Sequence, residues 1–262
     1  MTLHVEIRGT GPDLVLLHGW ALHGGMWGPW LDELARHARL HVLDLPGHGR
    51  STWPAGLRDL AGLARAVFAA VPQGAALLGW SLGGMVALEL ARQHSRHLRA
   101  LVLVGTTPKF LAGPDWDPGL RPAILDGFSA GLARDYRRTV QNFLALQTRG
   151  DERALATLRL LRARLAMHGE PDRAALAAGL GILREADLRD SLPRIALPTL
   201  VIAGEHDRLT PPEAGRALAS ALPAARFRLV ERCGHAPFLS HPAEVLGEVT
   251  GFLARHPGEK AA

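Results

Sequence analysis

The 262-residue chain is 47% hydrophobic, carries one cysteine and has a formal net charge of +5. That is ample apolar material for one large core, while a single cysteine excludes an internal disulfide and fits a reducing compartment, so the cytoplasm is expected. No run reaches the roughly 18 apolar residues of a membrane span, no basic-then-apolar leader is visible, and all but two of the 30 basic residues are scattered arginines, so neither a membrane nor a nucleic acid is an expected partner.

In chain order, short apolar runs alternate with helix-period segments, the pattern of a mostly parallel sheet covered by helices on both faces. Strands are expected at 3–7, 14–17, 40–43, 75–79, 100–104, 199–203 and 226–230. Helices are expected at 26–38, 57–71, 82–93, 212–221 and 243–253. The alternation breaks over 107–192, which reads as four helices at 121–131, 133–148, 151–167 and 173–183. The expected organisation is therefore a core of 1–106 and 193–262 with 107–192 as a helical cap over the sheet's C-terminal edge, where open α/β sheets place their ligands.

One segment carries the chemistry. Gly79-Trp80-Ser81-Leu82-Gly83-Gly84 follows an apolar run and opens a helix, which is the setting of a nucleophile elbow. The turn is tight, so the residues two before and two after the serine must be small, as Gly79 and Gly83 are. A serine nucleophile needs a base, and the base needs an orienting acid. The sixth apolar run ends in Gly204-Glu205-His206-Asp207 and the next in Cys233-Gly234-His235, giving the order serine, acid, histidine. Asp207 is the expected acid with Glu205 in reserve, and His235 is the expected base.

Oxyanion donors are expected from the amide of Leu82 and, across the His18-Gly19-Trp20 turn, from that of Trp20. An aspartate would be needed at position 81 for dehalogenase or epoxide hydrolase chemistry. Thirteen histidines raise the question of a metal, yet with a single cysteine no Cys-x-x-Cys pair occurs, so neither metal nor cofactor is expected. Asp44 to Ser51 reads as a bracing turn, and Cys233 as a small buried residue.

With these residues in view, the chain resembles the α/β-hydrolase superfamily over nearly its whole length. More narrowly it resembles the pimeloyl-acyl-carrier-protein methyl ester esterases of biotin synthesis. The likeness is carried by Leu-Leu-His-Gly-Trp at 16–20, Asp-Leu-Pro-Gly-His-Gly-Arg-Ser at 44–51 and Gly-Trp-Ser-Leu-Gly-Gly at 79–84. Two narrower markers are Phe-Leu-Ala-Leu-Gln at 143–147 and His-Ala-Pro-Phe-Leu-Ser-His-Pro at 235–242. The resemblance implies an eight-stranded α/β-hydrolase sheet, carboxylester hydrolysis by Ser81, Asp207 and His235, and substrate contacts from Trp20, Leu82, Phe143, Leu144, Ala145, Leu146 and Gln147. The implied substrate is a methyl ester on a pimeloyl chain held by acyl carrier protein, cleaved by a monomer.

The cap adds a charge pattern. On one helix over 133–148, Arg134, Arg137 and Arg138 would share a face opposite Tyr136, Val140, Phe143 and Gln147, and the following helix adds Arg153, Arg159 and Arg162. The apolar side suits an acyl chain and the basic side an acidic carrier protein. The residues alone leave open a general short-chain carboxylesterase, a carbon–carbon bond hydrolase, or a ligand receptor on a hydrolase scaffold.

Overall fold

The computed structural model describes residues 2–258. Its seven strands are β1 (Val5–Arg8), β2 (Asp13–Leu17), β3 (Arg39–Leu43), β4 (Ala75–Trp80), β5 (Leu98–Val104), β6 (Thr199–Gly204) and β7 (Ala225–Val230). They form one sheet in the order β1-β3-β2-β4-β5-β6-β7, antiparallel only at β1 against β3. The ten helices among the described residues are α1 (Trp30–Leu34), α2 (Leu60–Phe68), α3 (Leu82–His94), α4 (Pro122–Arg134), α5 (Tyr136–Gln147), α6 (Ala154–Leu165), α7 (Arg173–Glu185), α8 (Pro212–Ala221), α9 (Pro237–Ser240) and α10 (Pro242–Arg255).

Because side chains alternate along a strand, buried parallel strands must be apolar on both faces. Val15, Leu17, Leu77, Leu101, Leu103 and Val201 enter the core layer under α2, α3 and α8. Leu14, Leu16, Leu78, Val102, Leu200 and Ile202 enter the opposite layer under α1 and α10. Each such leucine, fully buried, contributes about 1.5–3 kcal/mol relative to exposure. At the edge, β7 turns polar: Arg226 pairs with Glu248, and Arg228 with Glu244, both acids on α10. Charge and a covering helix together blunt that edge.

Three expectations are corrected. Among the described residues the sheet has seven strands, not eight, because the sequence offers seven apolar runs. The N-terminal arm ahead of β1 bonds instead to Ser51 and Thr52. The helix expected at 26–38 is cut at Gly28-Pro29: Gly28 has φ 68°, closing the short 3-10 turn Gly24–Trp27 before α1 begins. The helix expected at 133–148 is also two elements. Asp135 is extended (φ −153°, ψ 92°), ends α4, and its carboxylate accepts the Arg138 N–H as the N-cap of α5. Arg134 therefore ends one helix while Arg137 and Arg138 begin the next, and the three do not share a helix face.

Helices α4 to α7 all lie between β5 and β6 in the chain. Two ionic clasps mark where this segment leaves and rejoins the sheet. Lys109 bonds Asp115 and Asp187, and Arg189 bonds the same two acids, drawing the outgoing and returning strands together.

Candidate active site

The elbow forms between β4 and α3. A Cβ on Gly79 would run into the carbonyl of Gly83 and lie 2.6 Å from Gly84 Cα, and one on Gly83 would meet the Leu17 carbonyl. The backbone passes too closely for any side chain. Ser81 takes φ 57° and ψ −119°, a conformation that costs a non-glycine residue about 1–3 kcal/mol. It is held there by its N–H donating to Val104 O at 3.0 Å, and by its carbonyl accepting from Gly84 N–H at 2.9 Å and Thr106 Oγ1 at 2.7 Å.

The candidate base and acid meet on the loops that follow β7 and β6. His235 Nδ1 lies 2.7 Å from Asp207 Oδ2, with both residues buried. The Asp207 carboxylate has three further donors: the N–H groups of Leu209 (2.8 Å) and Thr210 (3.0 Å) on Oδ1, and Thr210 Oγ1 (2.8 Å) on Oδ2. Its oxygens accept from every one of these partners, so Nδ1 carries a proton and Nε2 is left as the basic atom. Nε2 is buried without a hydrogen-bond partner among the described residues. The imidazole packs beside Gly105, where a Cβ would lie 3.1 Å from Nδ1, and its carbonyl accepts Trp80 Nε1 at 2.9 Å. The reserve acid is elsewhere: Glu205 is exposed and accepts the Arg232 N–H.

Across from the elbow, Gly19 lies so close to Ser81 that a Cβ there would sit 3.2 Å from the serine Cβ. The amides of Trp20 and Leu82 donate to no protein acceptor among the described residues, and Leu82 N–H heads α3, where the helix dipole favours an anion. The turn is braced from below. His18 Nε2 takes the Leu45 N–H at 2.9 Å, which puts the proton on Nδ1, and Nδ1–H donates to Gly19 O at 2.8 Å. Burial, reinforced by nearby His48, drives the His18 pKa down. It stays neutral across the physiological range, and the brace keeps one tautomer. Asp44 below it receives Gly24 N–H, Arg50 N–H and Arg50 Nε. Burial pushes the Asp44 carboxyl up, but the Gly24 and Arg50 donors outweigh it and hold it below the usual carboxylate range.

The cap supplies an aromatic roof. Trp20, itself fully buried, meets Phe143 edge-on at 4.9 Å, and Phe128 of α4 stands 5.6 Å from Phe143. Trp20 Nε1 donates to Leu176 O at 2.9 Å, tying the His18-Gly19-Trp20 turn to α7. Of the expected 143–147 contacts, Phe143 and Gln147 are brought to the site. The Gln147 carbonyl accepts His235 N–H at 2.8 Å, and its buried side-chain amide has no partner among the described residues. Leu144 instead enters the core layer with Leu161, Ala145 is half-buried, and Leu146 lines a polar cleft that reaches Asp207 from outside.

Ser81 is only 5% exposed. Helices α4, α5 and α7 line an open pocket of about 520 Å³, apolar along Leu132, Leu176 and Leu180 and edged by Arg173 and Arg184. No triad residue lines it.

Arg134, Arg137, Arg138, Arg153, Arg159 and Arg162 are exposed, but not as one uniform stripe. Arg137 pairs with Glu170, and Arg153 donates to Ser240 O at 2.8 Å. Arg134, Arg138, Arg159 and Arg162 have no acidic partner among the described residues.

Two groups of potential metal ligands do converge, from residues too remote for any spacing to reveal: His23, Asp44 and His168, and Asp151, Cys233 and His241. Most of their ligand atoms are already engaged. His23 Nδ1 accepts Gly25 N–H and its Nε2 meets Arg164 O. Cys233 Sγ and His241 Nδ1 both meet Ser240 Oγ, and burial pushes the Cys233 thiol up, keeping it protonated. Residues that the sequence did not single out are Trp80, Thr106, Phe128, Asp151 and Thr210. Only Trp80 lies inside a recognisable motif.

The comparisons with known proteins agree with this geometry. A family model described as the alpha/beta hydrolase fold matches residues 12–242. A pimeloyl-[acyl-carrier protein] methyl ester esterase of Xanthomonas campestris pv. campestris is 44% identical over 258 residues, covering 97% of this chain and 100% of its own. One of the same name from Aeromonas salmonicida is 43% identical over 254 residues, with 97% and 100% covered. The esterase RhEst1 from Rhodococcus sp. ECU1013 superimposes with a TM-score of 0.80 at 30% identity, covering 97% of this chain and 95% of that one. The chain belongs to the α/β-hydrolase fold family and, within it, to the family of pimeloyl-[acyl-carrier protein] methyl ester esterases.

Proposed function

We propose that this carboxylic ester hydrolase cleaves the methyl ester of a pimeloyl chain carried on acyl carrier protein, releasing methanol and the free carboxylate for biotin synthesis. The observation that carries this reading is the end-to-end likeness to esterases of that name, 44% identical over 97% of the chain. A site that can perform ester hydrolysis supports it.

In the first step His235 Nε2 takes the proton of Ser81 Oγ as the oxygen attacks the ester carbonyl. The amides of Trp20 and Leu82 receive the oxyanion, and removing one such donor typically costs about 2.7–4 kcal/mol. His235 then protonates the departing methoxide. In the second step it activates a water that cleaves the acyl-enzyme. Asp207 holds the Nδ1–H tautomer throughout and stabilises the imidazolium. Trp20 and Phe143 exclude water, while Gln147 sets the backbone of His235. No helix among the described residues is long and apolar enough to cross a membrane, and we place the reaction in the cytoplasm, performed by a monomer.

The carrier is assigned to the basic cap, through Arg134, Arg137, Arg138, Arg153, Arg159 and Arg162. An acidic carrier steered by exposed charge must lose affinity as salt rises. Hydrolysis of carrier-bound ester and of free dimethyl pimelate should be followed from low to high salt. Reversing Arg138, Arg159 and Arg162 to Glu is expected to lower kcat/KM at least about tenfold on the carrier-bound ester alone. Equal losses on both substrates would assign these arginines to the fold or pocket.

A further inference from the structure

The loop that presents His235 is held from outside the sheet. Between β7 and α9, Arg232 adopts φ 51° and the chain then passes through Cys233 and Gly234 to the histidine. The His235 N–H donates to the Gln147 carbonyl at 2.8 Å. The preceding N–H, from Gly234, donates to Asp151 Oδ2 at 3.0 Å. One residue on, Glu152 N–H donates to the Arg232 carbonyl at 2.9 Å. All three partners lie between the last residue of α5 and the start of α6, so the base is fixed by this helical segment as much as by its own strand.

Asp151 stands out within that set because its bond comes from a side chain. It is buried, and no cationic group pairs with it among the described residues. Its oxygens are divided between two amides: Oδ1 takes Arg153 N–H at 2.7 Å ahead of α6, and Oδ2 takes Gly234 N–H. A buried carboxylate pays heavily for lost water unless such donors reach it, so its conformation is over-determined by them. The cap's α5–α6 corner and the histidine loop thus share one charged anchor. The contact is tight, since a Cβ on Gly234 would lie 2.6 Å from the Gln147 carbonyl.

We propose that Asp151 is a positioning residue for ester hydrolysis, holding the His235 imidazole in line with Ser81 through the Gly234 amide, so that seating of the cap and alignment of the base are one event. The proposal rests on the Ser81–His235–Asp207 assignment. Asp151 touches neither substrate nor imidazole in this role. It sets kcat by geometry, and substrate affinity is unaffected.

The test measures p-nitrophenyl butyrate turnover by the full chain as wild type, Asp151→Ala, Asp151→Asn and Ser81→Ala. Rates of the Asp151 variants are divided by the sites that a fluorophosphonate labels at saturation, which removes any misfolded fraction. Asp151→Ala is expected to lower kcat per labelled site by about 10- to 100-fold, the scale of an ångström-level misplacement, with KM changed less than about twofold. Asp151→Asn keeps one oxygen for the Gly234 N–H and is expected to recover most of that loss. Wild-type kcat per labelled site in Asp151→Ala, with Ser81→Ala inert, overturns the positioning role. So does an Asn variant no better than Ala. Retained turnover in Ser81→Ala overturns the triad assignment instead.

Discussion

Replacing Ser81 by alanine is expected to abolish ester hydrolysis and leave the protein folded. The loss should be at least about 10⁴-fold in kcat, because without an acceptor for the acyl group only the oxyanion donors and binding remain. Folding should survive for a local reason. Ser81 is anchored by its backbone, to Val104 O and from Gly84 N–H and Thr106 Oγ1, and none of these bonds uses the hydroxyl. Alanine inherits the same strained φ at no new steric cost. Circular dichroism and the melting temperature should match wild type, while hydrolysis of a p-nitrophenyl ester disappears. Turnover near the wild-type rate would remove Ser81 as nucleophile.

Asp207→Asn should be nearly as damaging, by about 10⁴-fold in kcat, although it changes one atom. The direction follows from the donors around the carboxylate. Oδ1 faces two backbone N–H groups, from Leu209 and Thr210, so an amide nitrogen is repelled there and must take the Oδ2 position. It then points an N–H at His235 Nδ1, 2.7 Å away. Nδ1 must become the acceptor, which moves the ring proton to Nε2. An Nε2 that already holds a proton has no lone pair for the serine. Activity within tenfold of wild type would mean that Asp207 does not control the tautomer.

What could be read from the sequence was local or ordered along the chain. The elbow needs small residues within a few positions of Ser81, so Gly79 and Gly83 exposed it. Asp207 and His235 were legible because each follows directly on an apolar run. The contacts of Thr106 and Asp151 were not, because small polar residues carry no periodicity and their partners are remote, and Thr210, though only three residues past Asp207, carries no periodicity either. Asp151 reaches Gly234 across 83 positions.

The two helix errors differ in kind. Gly28-Pro29 is a recognised breaker, and the cut between the 3-10 turn and α1 was there to be seen. At 133–148 the apolar period runs on without interruption, and only Asp135 three residues ahead of Arg138 marks the cap between α4 and α5. The eighth strand came from family likeness rather than from any apolar run. Phe143 and Gln147 were placed at the site by the same likeness, which did not separate them from Leu144, whose side chain faces the other core layer.

That separation matters for substrate choice. In the proposed mechanism Ser81, His235 and Asp207 supply the chemistry of any ester, and the choice of ester is assigned to the Trp20–Phe143 pair, the pocket between α4, α5 and α7 and the exposed arginines. The most direct measurement is therefore hydrolysis of pimeloyl-acyl-carrier-protein methyl ester by the purified protein, counting methanol and free carboxylate together. One methanol per carboxylate is expected, with kcat/KM for the carrier-bound ester at least about tenfold above that for free dimethyl pimelate, and no release by Ser81→Ala. A protein that hydrolyses p-nitrophenyl esters yet leaves the carrier-bound methyl ester intact would contradict the account.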